Sequence, residues 1–312
     1  MDTRELSLEI KKKIFDTGAA ECGFARAGTL QREYDFLVQW TAQGMHAGKT
    51  YLERNPEVRA NPALLVPGAK TVIAVLYNYY TDEKLTQHLP YRISRYAYGK
   101  DYHKVINDKL AGVAAFIKQQ YQSQNTRVCV DTAPILEKAW AQRAGLGWIG
   151  KNSLLVSEKT GTLHFIGIII TDVELHYDTP VEEKCGSCTL CLEACPTGAL
   201  LAPHQLDVRK CISHLTMEQK NPLPESLRES FSGFIYGCDC CQEACPWNHH
   251  LKPTEIREFQ LSVPLKKMTA ADWETLTEED FLNITEGSAI QRIGFQSLQR
   301  NIRFINEKND QH

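Results

Sequence analysis

The sequence predicts an α+β fold in which helices cover a central sheet, followed by a cysteine-rich module and a short helical tail. Two observations carry this prediction. Residues 1–179 alternate helical and strand-like patterns, and nine of the 11 cysteines fall between Cys185 and Cys245. At 312 residues, 43% hydrophobic and 23% charged, the chain is long enough to bury one large core or two smaller ones. This composition excludes disordered, collagen-like and coiled-coil proteins.

The first half supplies the predicted helices and strands. Apolar residues at helical spacing predict helices over residues 6–18, 36–40 and 103–121. β-branched and aromatic runs predict strands over residues 71–80, 128–130 and 163–171. Between the last two strands, Pro134 suits the first turn of a helix that runs to about Arg143. Helices that cover such a sheet are typical of α/β or α+β domains.

The composition changes abruptly at residue 180, where cysteines and prolines replace the strand pattern. We therefore expect a domain of residues 1–179, a cysteine-rich module of residues 180–255 and a helical tail of residues 256–312. Within the tail, residues 289–305 show the clearest helical pattern. No internal repeat stands out.

The cysteine count indicates a reducing compartment. The number of cysteines is odd, and the first 13 residues contain no apolar stretch that resembles a signal peptide. We therefore expect a cytoplasmic protein whose cysteines serve metal or redox chemistry rather than disulfides. The apolar runs are far shorter than the roughly 20 residues that span a bilayer. A net charge of −3 means that any nucleic-acid contact needs a local basic patch.

The first cysteine run matches the bacterial ferredoxin pattern. Its spacing is Cys185-x2-Cys188-x2-Cys191-x3-Cys195, with Pro196 next. In ferredoxins with two clusters, the fourth cysteine of this run ligates the other cluster. The run therefore predicts two [4Fe–4S] clusters and a second cysteine run.

The second run repeats the last three positions of the first. Its spacing is Cys238-x2-Cys241-x3-Cys245 before a proline, and its missing first position is Ile235. Cys211 is the only cysteine between the runs, so it is the natural fourth ligand. We assign the first cluster to Cys185, Cys188, Cys191 and Cys245, and the second to Cys195, Cys211, Cys238 and Cys241.

Two zinc sites are the alternative, since zinc also takes four cysteines with this spacing. The paired x3-Cys-Pro endings are hard to explain by zinc. Three cysteines, Cys22, Cys129 and Cys240, are left as ordinary thiols; Cys240 adjoins Cys241 but does not keep the spacing. Because two clusters form an electron conduit, we expect residues 1–179 to house the chemistry that the electrons serve.

Two motifs in the first half fail on context. Residues 145–150 satisfy G-x-G-x-x-G, but they follow a predicted helix and lead into an extended segment at 153–156. We expect a helix stop and a loop whose backbone can approach a bulky ligand. Asp101 and His103 resemble the start of the cobalamin signature D-x-H-x-x-G, but Ile106 replaces its glycine. A solvated loop before a helix explains that pair.

Two other features leave alternatives open. Asp131 follows a predicted strand and is either a helix-start carboxylate or a catalytic acid whose pKa is raised by partial burial. Residues 91–104 interleave arginine and lysine with tyrosine. This pattern suits single-stranded RNA binding, and it equally suits the wall of a cofactor pocket with a solvated outer face.

Six motifs, spread along most of the chain, point to one family in combination. They are RYAYGKDYH (95–103), VDT (130–132), AGLGWIGKN (144–152), CGSCTLCLEACPTGAL (185–200), RKCIS (209–213) and YGCDCCQ (236–242). This set closely resembles the epoxyqueuosine reductases, from near residue 20 to about residue 305. The resemblance implies reduction of the epoxide of epoxyqueuosine, at the wobble position of a tRNA, to the cyclopentene of queuosine.

The resemblance also implies cofactors and site residues. An N-terminal α/β domain would bind base-off cobalamin without a histidine on cobalt, beside a ferredoxin-like domain with two [4Fe–4S] clusters. Asp131 matches the proposed proton donor. The cobalamin-contacting positions carried over are Arg59, Ser94, Asp131, Leu155, Ile166, Ile169 and Ser213, and a tRNA contact is expected at Gln219 and Lys220. We expect a monomer fed by an external flavodoxin- or ferredoxin-type donor.

One departure from the family concerns its C-terminal HEAT-like repeats. Many members carry these repeats, whereas this sequence ends at His312, and the tRNA then requires a local basic surface around the cobalamin pocket. Two rival functions remain. A reductive dehalogenase would be expected to have a twin-arginine leader, which the sequence does not show, and the long N-terminal domain argues against a mere electron carrier or zinc module.

Overall fold

The computed structural model describes residues 2–85 and 90–307, and in these ranges the chain forms 13 α-helices and ten strands. The helices are α1 (Thr3–Phe15), α2 (Gln31–Ala42), α3 (Pro56–Ala60), α4 (Pro62–Leu65), α5 (Tyr102–Tyr121), α6 (Glu137–Arg143), α7 (Leu190–Glu193), α8 (Ile212–Met217), α9 (Cys240–Glu243), α10 (Val263–Lys267), α11 (Ala270–Glu274), α12 (Glu278–Ile284) and α13 (Phe295–Asn306). The strands are β1 (Glu21–Arg26), β2 (Thr71–Asn78), β3 (Arg92–Ile93), β4 (Thr126–Cys129), β5 (Trp148–Ile149), β6 (Leu155–Val156), β7 (His164–Thr171), β8 (Leu200–Ala202), β9 (Gln205–Leu206) and β10 (Phe234–Tyr236).

The central sheet has the strand order β1-β2-β7-β4, and each neighbouring pair is antiparallel. The predicted mixture of helices and sheet is therefore confirmed, and the antiparallel pairing makes the class α+β. Side chains alternate between the two faces of a strand. Ile73 and Val75 of β2 thus enter one core, while Val72 and Ala74 enter another. Burial on both faces explains why β2 is apolar throughout.

Helices cover both faces of this sheet. On one face, Ile14 of α1 and Leu110 of α5 pack in the core that contains Ile73. On the other face, Trp140 of α6 is fully buried in the core that contains Val72. The sheet is therefore the middle of three layers, and α5 and α6 face each other across it.

A third core joins distant parts of the chain. β3 pairs in parallel with β10, so the segment between β2 and α5 contacts the cysteine-rich region. Tyr91 and Tyr236 are buried in this core together with Leu298 of α13. The predicted boundaries at residues 179 and 255 stay a prediction, and this core draws residues from each of the three ranges.

A buried carboxylate fixes the join between the sheet and the cysteine-rich region. Asp239 accepts hydrogen bonds from the Ser94 hydroxyl and from the Arg95 N–H, the latter at 2.8 Å. Arg92 forms an ion pair with Glu243 at 2.7 Å. Buried charged groups need such partners, because they have lost their hydration. The strand pairing is thus reinforced by charged contacts.

These contacts decide between the alternatives for residues 91–104. Tyr91 and Tyr98 are core residues, and Arg92 and Arg95 face Glu243. Most of the segment is therefore unavailable to stack on RNA bases, and that interpretation is wrong for these residues. Its last part, at the start of α5, does line a candidate site.

Most predicted elements are confirmed, with two exceptions. The long helix predicted over residues 103–121 is α5, and the strands predicted over residues 71–80 and 163–171 are β2 and β7. The helix predicted from Pro134 begins only at Glu137, because two tight turns precede it. The pattern over residues 289–305 is a 3₁₀ helix and α13, separated by Gly294 at φ +77°.

None of the 11 cysteines forms a disulfide bond. In the described part of the chain, none of the helices has the length and apolar character needed to cross a bilayer.

We predict that Gly23→Ala destabilises the fold. A Cβ atom at Gly23 in β1 would lie 2.0 Å from the carbonyl oxygen of Ala144 at the end of α6. Strand or helix would have to move, at a cost of roughly 1–3 kcal/mol. Gly112→Ala is the matched control, because nothing lies within 4 Å of a Cβ there in α5. Gly112→Ala should raise the free energy of unfolding by about 0.5–1 kcal/mol, because alanine favours a helix more than glycine does. Urea unfolding measures the free energy of unfolding of both variants. Equal changes in the two variants would contradict the prediction.

Candidate functional site at the end of strand β4

The candidate site begins where the β4 ladder stops. β4 pairs with β7 only as far as Cys129, which faces Ile168. The chain then turns, and Asp131 adopts φ +55°, a left-handed conformation that residues other than glycine rarely adopt. Its side chain is 55% exposed and does not cap α6, which begins at Glu137. The helix-start interpretation of Asp131 is therefore wrong.

The Asp131 carboxylate is held by the first turn of α5. The Tyr102 hydroxyl donates to Oδ2 at 2.8 Å, and His103 Nε2 lies 3.2 Å from the same oxygen. His103 Nδ1 lies 2.6 Å from Oδ1 of Asp101, which also caps α5. The Tyr102 ring stacks on Phe165 of β7, with 4.3 Å between centroids. α5 therefore places one histidine between two carboxylates.

This geometry shifts the pKa values of both partners in opposite directions. The hydrogen bond from His103, supported by that from Tyr102, lowers the pKa of Asp131. Burial acts to lower the pKa of His103, but the hydrogen bonds to Asp131 and Asp101 outweigh it and raise that pKa. The sequence-based expectation that partial burial raises the pKa of Asp131 is therefore wrong in this conformation, because a cationic partner stabilises the carboxylate.

A second carboxyl group meets the backbone of the same residue. Oε1 of Glu137 accepts the Asp131 N–H at 2.5 Å. Burial, followed by the negative charge of Asp131, raises the pKa of Glu137 to about 8. The first residue of α6 is therefore a carboxylic acid that stays protonated at neutral pH.

Cations and a tyrosine surround this pair of acids. Arg59 donates to the backbone oxygen of Tyr51 at 2.6 Å, and its own carbonyl accepts the Leu136 N–H at 3.2 Å. Arg292, in the 3₁₀ helix Ala289–Ile293, is exposed and interacts electrostatically with Asp131 and Tyr102. Within residues 2–85 and 90–307, its guanidinium has no hydrogen-bond partner. It is therefore available to an anionic ligand.

The positions carried over from the family are only partly brought together. Arg59 and Asp131 lie at the site. Ser94 is 2% exposed, and its hydroxyl is used by Asp239. Leu155 is buried in β6. The serine and the leucine therefore offer backbone or packing contacts rather than a free polar side chain.

Ile166 and Ile169 lie on opposite faces of β7. Ile169 packs in the core with α1 and α5, whereas Ile166 packs against the core with α6. The two side chains therefore cannot contact one ligand from the same face. The backbone of Ile166, unlike the two side chains, is open to a ligand at the sheet edge. Residues 164–167 of β7 extend past the end of β4 and are not paired by it. This edge adjoins the turn at Asp131.

The remaining candidates lie on and after α8. Ser213 follows Cys211, and the N–H groups of Ser213 and His214 bond to the Cys211 sulfur. Gln219 donates to Pro222 at 3.3 Å, and Lys220 is exposed. Glu218, between α8 and these residues, interacts with Tyr51 and Arg292. The end of α8 therefore faces the Asp131 site.

Cysteines of the two runs lie close enough to interact with one another. Cys245 interacts electrostatically with Cys185, Cys188 and Cys191. Cys241 interacts with Cys195 and Cys211, and also with Cys191 of the first group. Cys238 interacts with Cys241 and accepts or donates a hydrogen bond with the neighbouring Cys240.

The buried thiols would be suited to bind a positively charged iron–sulfur core. Burial and the charges of the other cysteines raise the pKa of Cys191, so the group cannot ionise together unless a metal compensates. Trp148 Nε1 donates to Cys185 Sγ at 3.3 Å. Among the described residues, no group of three or more His, Cys, Asp and Glu side chains forms a ready site for a single metal ion. The assignment of ligands stays a prediction.

The glycine-rich loop serves the packing of the protein itself. Gly145 ends α6 at φ +76°, and Gly147 precedes β5. A Cβ atom at Gly147 would lie 2.1 Å from the carbonyl oxygen of Val156. The expected helix stop is confirmed, and close approach of β6 explains the second glycine without a ligand.

Sequence reasoning missed three residues of the site, Glu137, Tyr51 and Arg292, and included Tyr102 only as one tyrosine of the segment 91–104. Only Asp101 and His103 carried a motif, and that motif failed. A polar residue at a helix start is too common to signal a site, and Arg292 lies far away in sequence.

Comparisons with known proteins agree on one family. Residues 59–132 match the family described as "Epoxyqueuosine reductase QueG, DUF1730", and residues 184–248 match the "4Fe-4S double cluster binding domain". An epoxyqueuosine reductase of Cellulophaga algicola is 41% identical over 306 residues, covering 98% of this chain and 100% of the relative. The Escherichia coli enzyme is 39% identical, with 97% and 81% covered.

Solved structures resemble the fold closely. A crystal structure of epoxyqueuosine reductase with an epoxyqueuosine-modified tRNA-Tyr stem loop has a TM-score of 0.90 and 30% identity, covering 98% of this chain and 82% of that one. The Bacillus subtilis enzyme, solved with its catalytic aspartate loop swung out of the active site, has a TM-score of 0.88 and 29% identity, with the same coverage.

We predict that Cys211→Ala loses about half of the bound iron, because one of two four-iron clusters loses a ligand. Cys240→Ala should keep the full iron content, because Cys240 lies outside both predicted sets. Iron analysis and absorbance of anaerobically purified protein measure this. Full iron in the first variant would contradict the assignment of Cys211, and loss of iron in the second would point to Cys240 as a ligand.

Proposed function

Because the chain belongs to the epoxyqueuosine reductase family, we propose that it reduces the epoxide of epoxyqueuosine in tRNA to queuosine. One observation carries this function. At the end of β4, a pair of residues that can hold a proton lies beside the module that binds two [4Fe–4S] clusters. Asp131 and His103 form the pair. Helix α8 begins next to Cys211. At its other end, Glu218 faces the Asp131 site. A reduction that consumes electrons and protons needs both.

Cobalamin would lie between these two parts. The edge of β7 beyond Cys129 offers backbone groups that β4 does not pair. Buried polar atoms without partners also lie near the Asp131 turn, namely Nε of Arg59 and Oγ of Ser153. Amide-rich ligands suit such groups. When bound and reduced, cobalamin supplies a strong nucleophile for an epoxide carbon.

Asp131 and His103 supply the protons. Conversion of an epoxide to an alkene takes two electrons and two protons and releases water. The opening oxygen is too basic to leave unprotonated, so it needs an acid within reach. His103 passes its proton to the Asp131 carboxylate through their hydrogen bond, and Asp131, exposed at the turn, delivers it to this oxygen. Tyr102 keeps the carboxylate oriented meanwhile.

The two cysteine groups order the electron path. Cys185 and Cys188 lie in a partly exposed stretch, next to the exposed Leu190. Cys211, in the other group, begins the segment that leads to the site. Electrons from an external flavodoxin- or ferredoxin-type donor therefore enter at the Cys185 group and leave from the Cys211 group.

The tRNA is bound along the edge formed by the end of α8 and the 3₁₀ helix Ala289–Ile293. Gln219 and Lys220 lie on the first, and Arg292 on the second. Lys220 and Arg292 would form the local basic surface that an acidic chain needs to bind RNA, and Gln219 would add a neutral hydrogen-bonding group. With a tRNA as substrate, we expect the protein to act in the cytoplasm, as a monomer with functional parts at residues 1–179, 180–255 and 256–312.

We predict that Asp131→Asn abolishes turnover while both cofactors stay bound, because an amide cannot donate the proton. The assay is conversion of epoxyqueuosine in a tRNA anticodon stem-loop, with cobalamin and a strong reductant, followed by nucleoside mass analysis. Wild-type protein without turnover would refute the proposed function. Full activity of the variant would refute only the role of Asp131.

We predict that Arg292→Ala weakens stem-loop binding and lowers the slope of log affinity against log salt by about 1, as the loss of one phosphate contact should. Lys12→Ala is the control, because it removes the same charge from an exposed position on α1, which packs beside β1 at the opposite edge of the sheet. Fluorescence anisotropy at several salt concentrations measures both. Equal slopes for the two variants would contradict the prediction.

A further inference from the structure

We propose that Glu137 is a positioning residue that keeps Asp131 in its reactive conformation by accepting the backbone N–H of Asp131. This role rests on the proposed function of Asp131 as a proton donor. Glu137 itself does not touch the substrate, and it acts only through the position of the turn.

The turn at Asp131 needs an external support. Its φ of +55° is a strained conformation for a residue with a side chain, and such a conformation persists only when its surroundings enforce it. The turn has few backbone bonds of its own. Thr132 N–H bonds to Val130 at 2.6 Å, and Ile135 N–H bonds to Ala133 at 2.8 Å. These two-residue turns bend the chain without tying Asp131 to the sheet.

Two different elements supply the support. α5 binds the side chain of Asp131 through Tyr102 and His103, whereas α6 binds its backbone through Glu137. The side-chain bonds must loosen when the carboxyl group turns to a substrate. The backbone bond does not involve the carboxyl group, so it can persist during proton transfer.

α6 is a rigid support for this bond. Its residues Ala139, Trp140 and Ala141 are buried against the sheet. The adjacent Lys138 donates to the backbone oxygen of Ser153 at 2.6 Å. Glu137 is therefore fixed relative to the sheet. Its hydrogen bond fixes the N–H of Asp131 as well.

The charges around Glu137 make this support depend on pH. The groups that face Glu137 are Asp131 from the turn, Lys138 from α6, Tyr102 from α5 and Cys129 from β4. Burial and the charge of Asp131 raise the pKa of Glu137 to about 8. Below this pH the neutral acid accepts the N–H without repelling Asp131. Above it, two carboxylates lie side by side and the turn loosens.

The test compares Glu137→Ala, which removes the acceptor, with Glu137→Gln, which keeps an acceptor oxygen but cannot ionise. Arg143→Ala is the control, because Arg143 is exposed at the far end of α6. Hydrogen exchange of residues 130–136, followed by mass spectrometry, reports the turn without substrate. We expect about tenfold faster exchange in Glu137→Ala, as loss of one hydrogen bond should cause, and wild-type exchange in the other two variants at pH 7.

Turnover supplies the second readout. Glu137→Ala should lower kcat about tenfold and leave KM for the stem-loop unchanged. Wild-type kcat should fall as the pH rises, because both His103 and Glu137 lose their protons, and Glu137→Gln should lack only the part of this fall that comes from Glu137, near pH 8. If Glu137→Ala does not fold, Glu137→Asp replaces it, since its shorter carboxyl cannot reach the N–H.

The outcomes separate the two proposals. Wild-type exchange and wild-type kcat in Glu137→Ala would overturn the positioning role. Identical pH profiles of kcat in wild-type protein and Glu137→Gln would overturn it as well. Wild-type protein that does not turn over would refute the proposed function, while the exchange experiment would still decide whether Glu137 holds the turn.

Discussion

The buried carboxylate of Asp239 is the contact on which the arrangement of the site depends. It lies in the cysteine-rich region, next to Cys238, and binds the Ser94 hydroxyl and the Arg95 N–H. A buried charge that lost these partners would cost several kcal/mol, so the contact is strongly enforced. The chain runs from Arg95 directly to Asp101, which starts α5. The cluster module and the first turn of α5 are therefore positioned by one interaction.

α5 and α6 divide the control of Asp131 between them. α5 provides Tyr102 and His103, which bind the Asp131 carboxylate and lower its pKa. α6 provides Glu137, which binds the Asp131 N–H and fixes the position of the turn. These helices lie on opposite faces of the sheet, and Asp131 is at the sheet edge between them. The site therefore exists because β4 is short. A longer β4 would pair with the edge of β7 that now faces the turn.

The protonation pattern changes how the acid should be understood. An aspartic acid with a raised pKa would donate its own proton, but here the pKa of Asp131 is lowered and that of His103 is raised, so we propose that the carboxylate relays a proton from His103. The acid with a raised pKa is Glu137, which keeps the turn uncharged on its backbone side at neutral pH. Neighbouring carboxyl groups thus have different roles because only one of them contacts an imidazole.

The sequence by itself determined those features that depend on neighbours along the chain. The spacing of Cys185 to Cys195 indicated the cluster motif, because thiolates within a few residues can bind one cluster, and the apolar pattern of residues 71–80 indicated a buried strand. Only the tertiary structure decided that Tyr102, Glu137 and Arg292 meet Asp131, that Ile166 and Ile169 face opposite ways, and that Tyr91 is buried. These outcomes depend on how three cores pack distant segments together, and no local pattern encodes such packing.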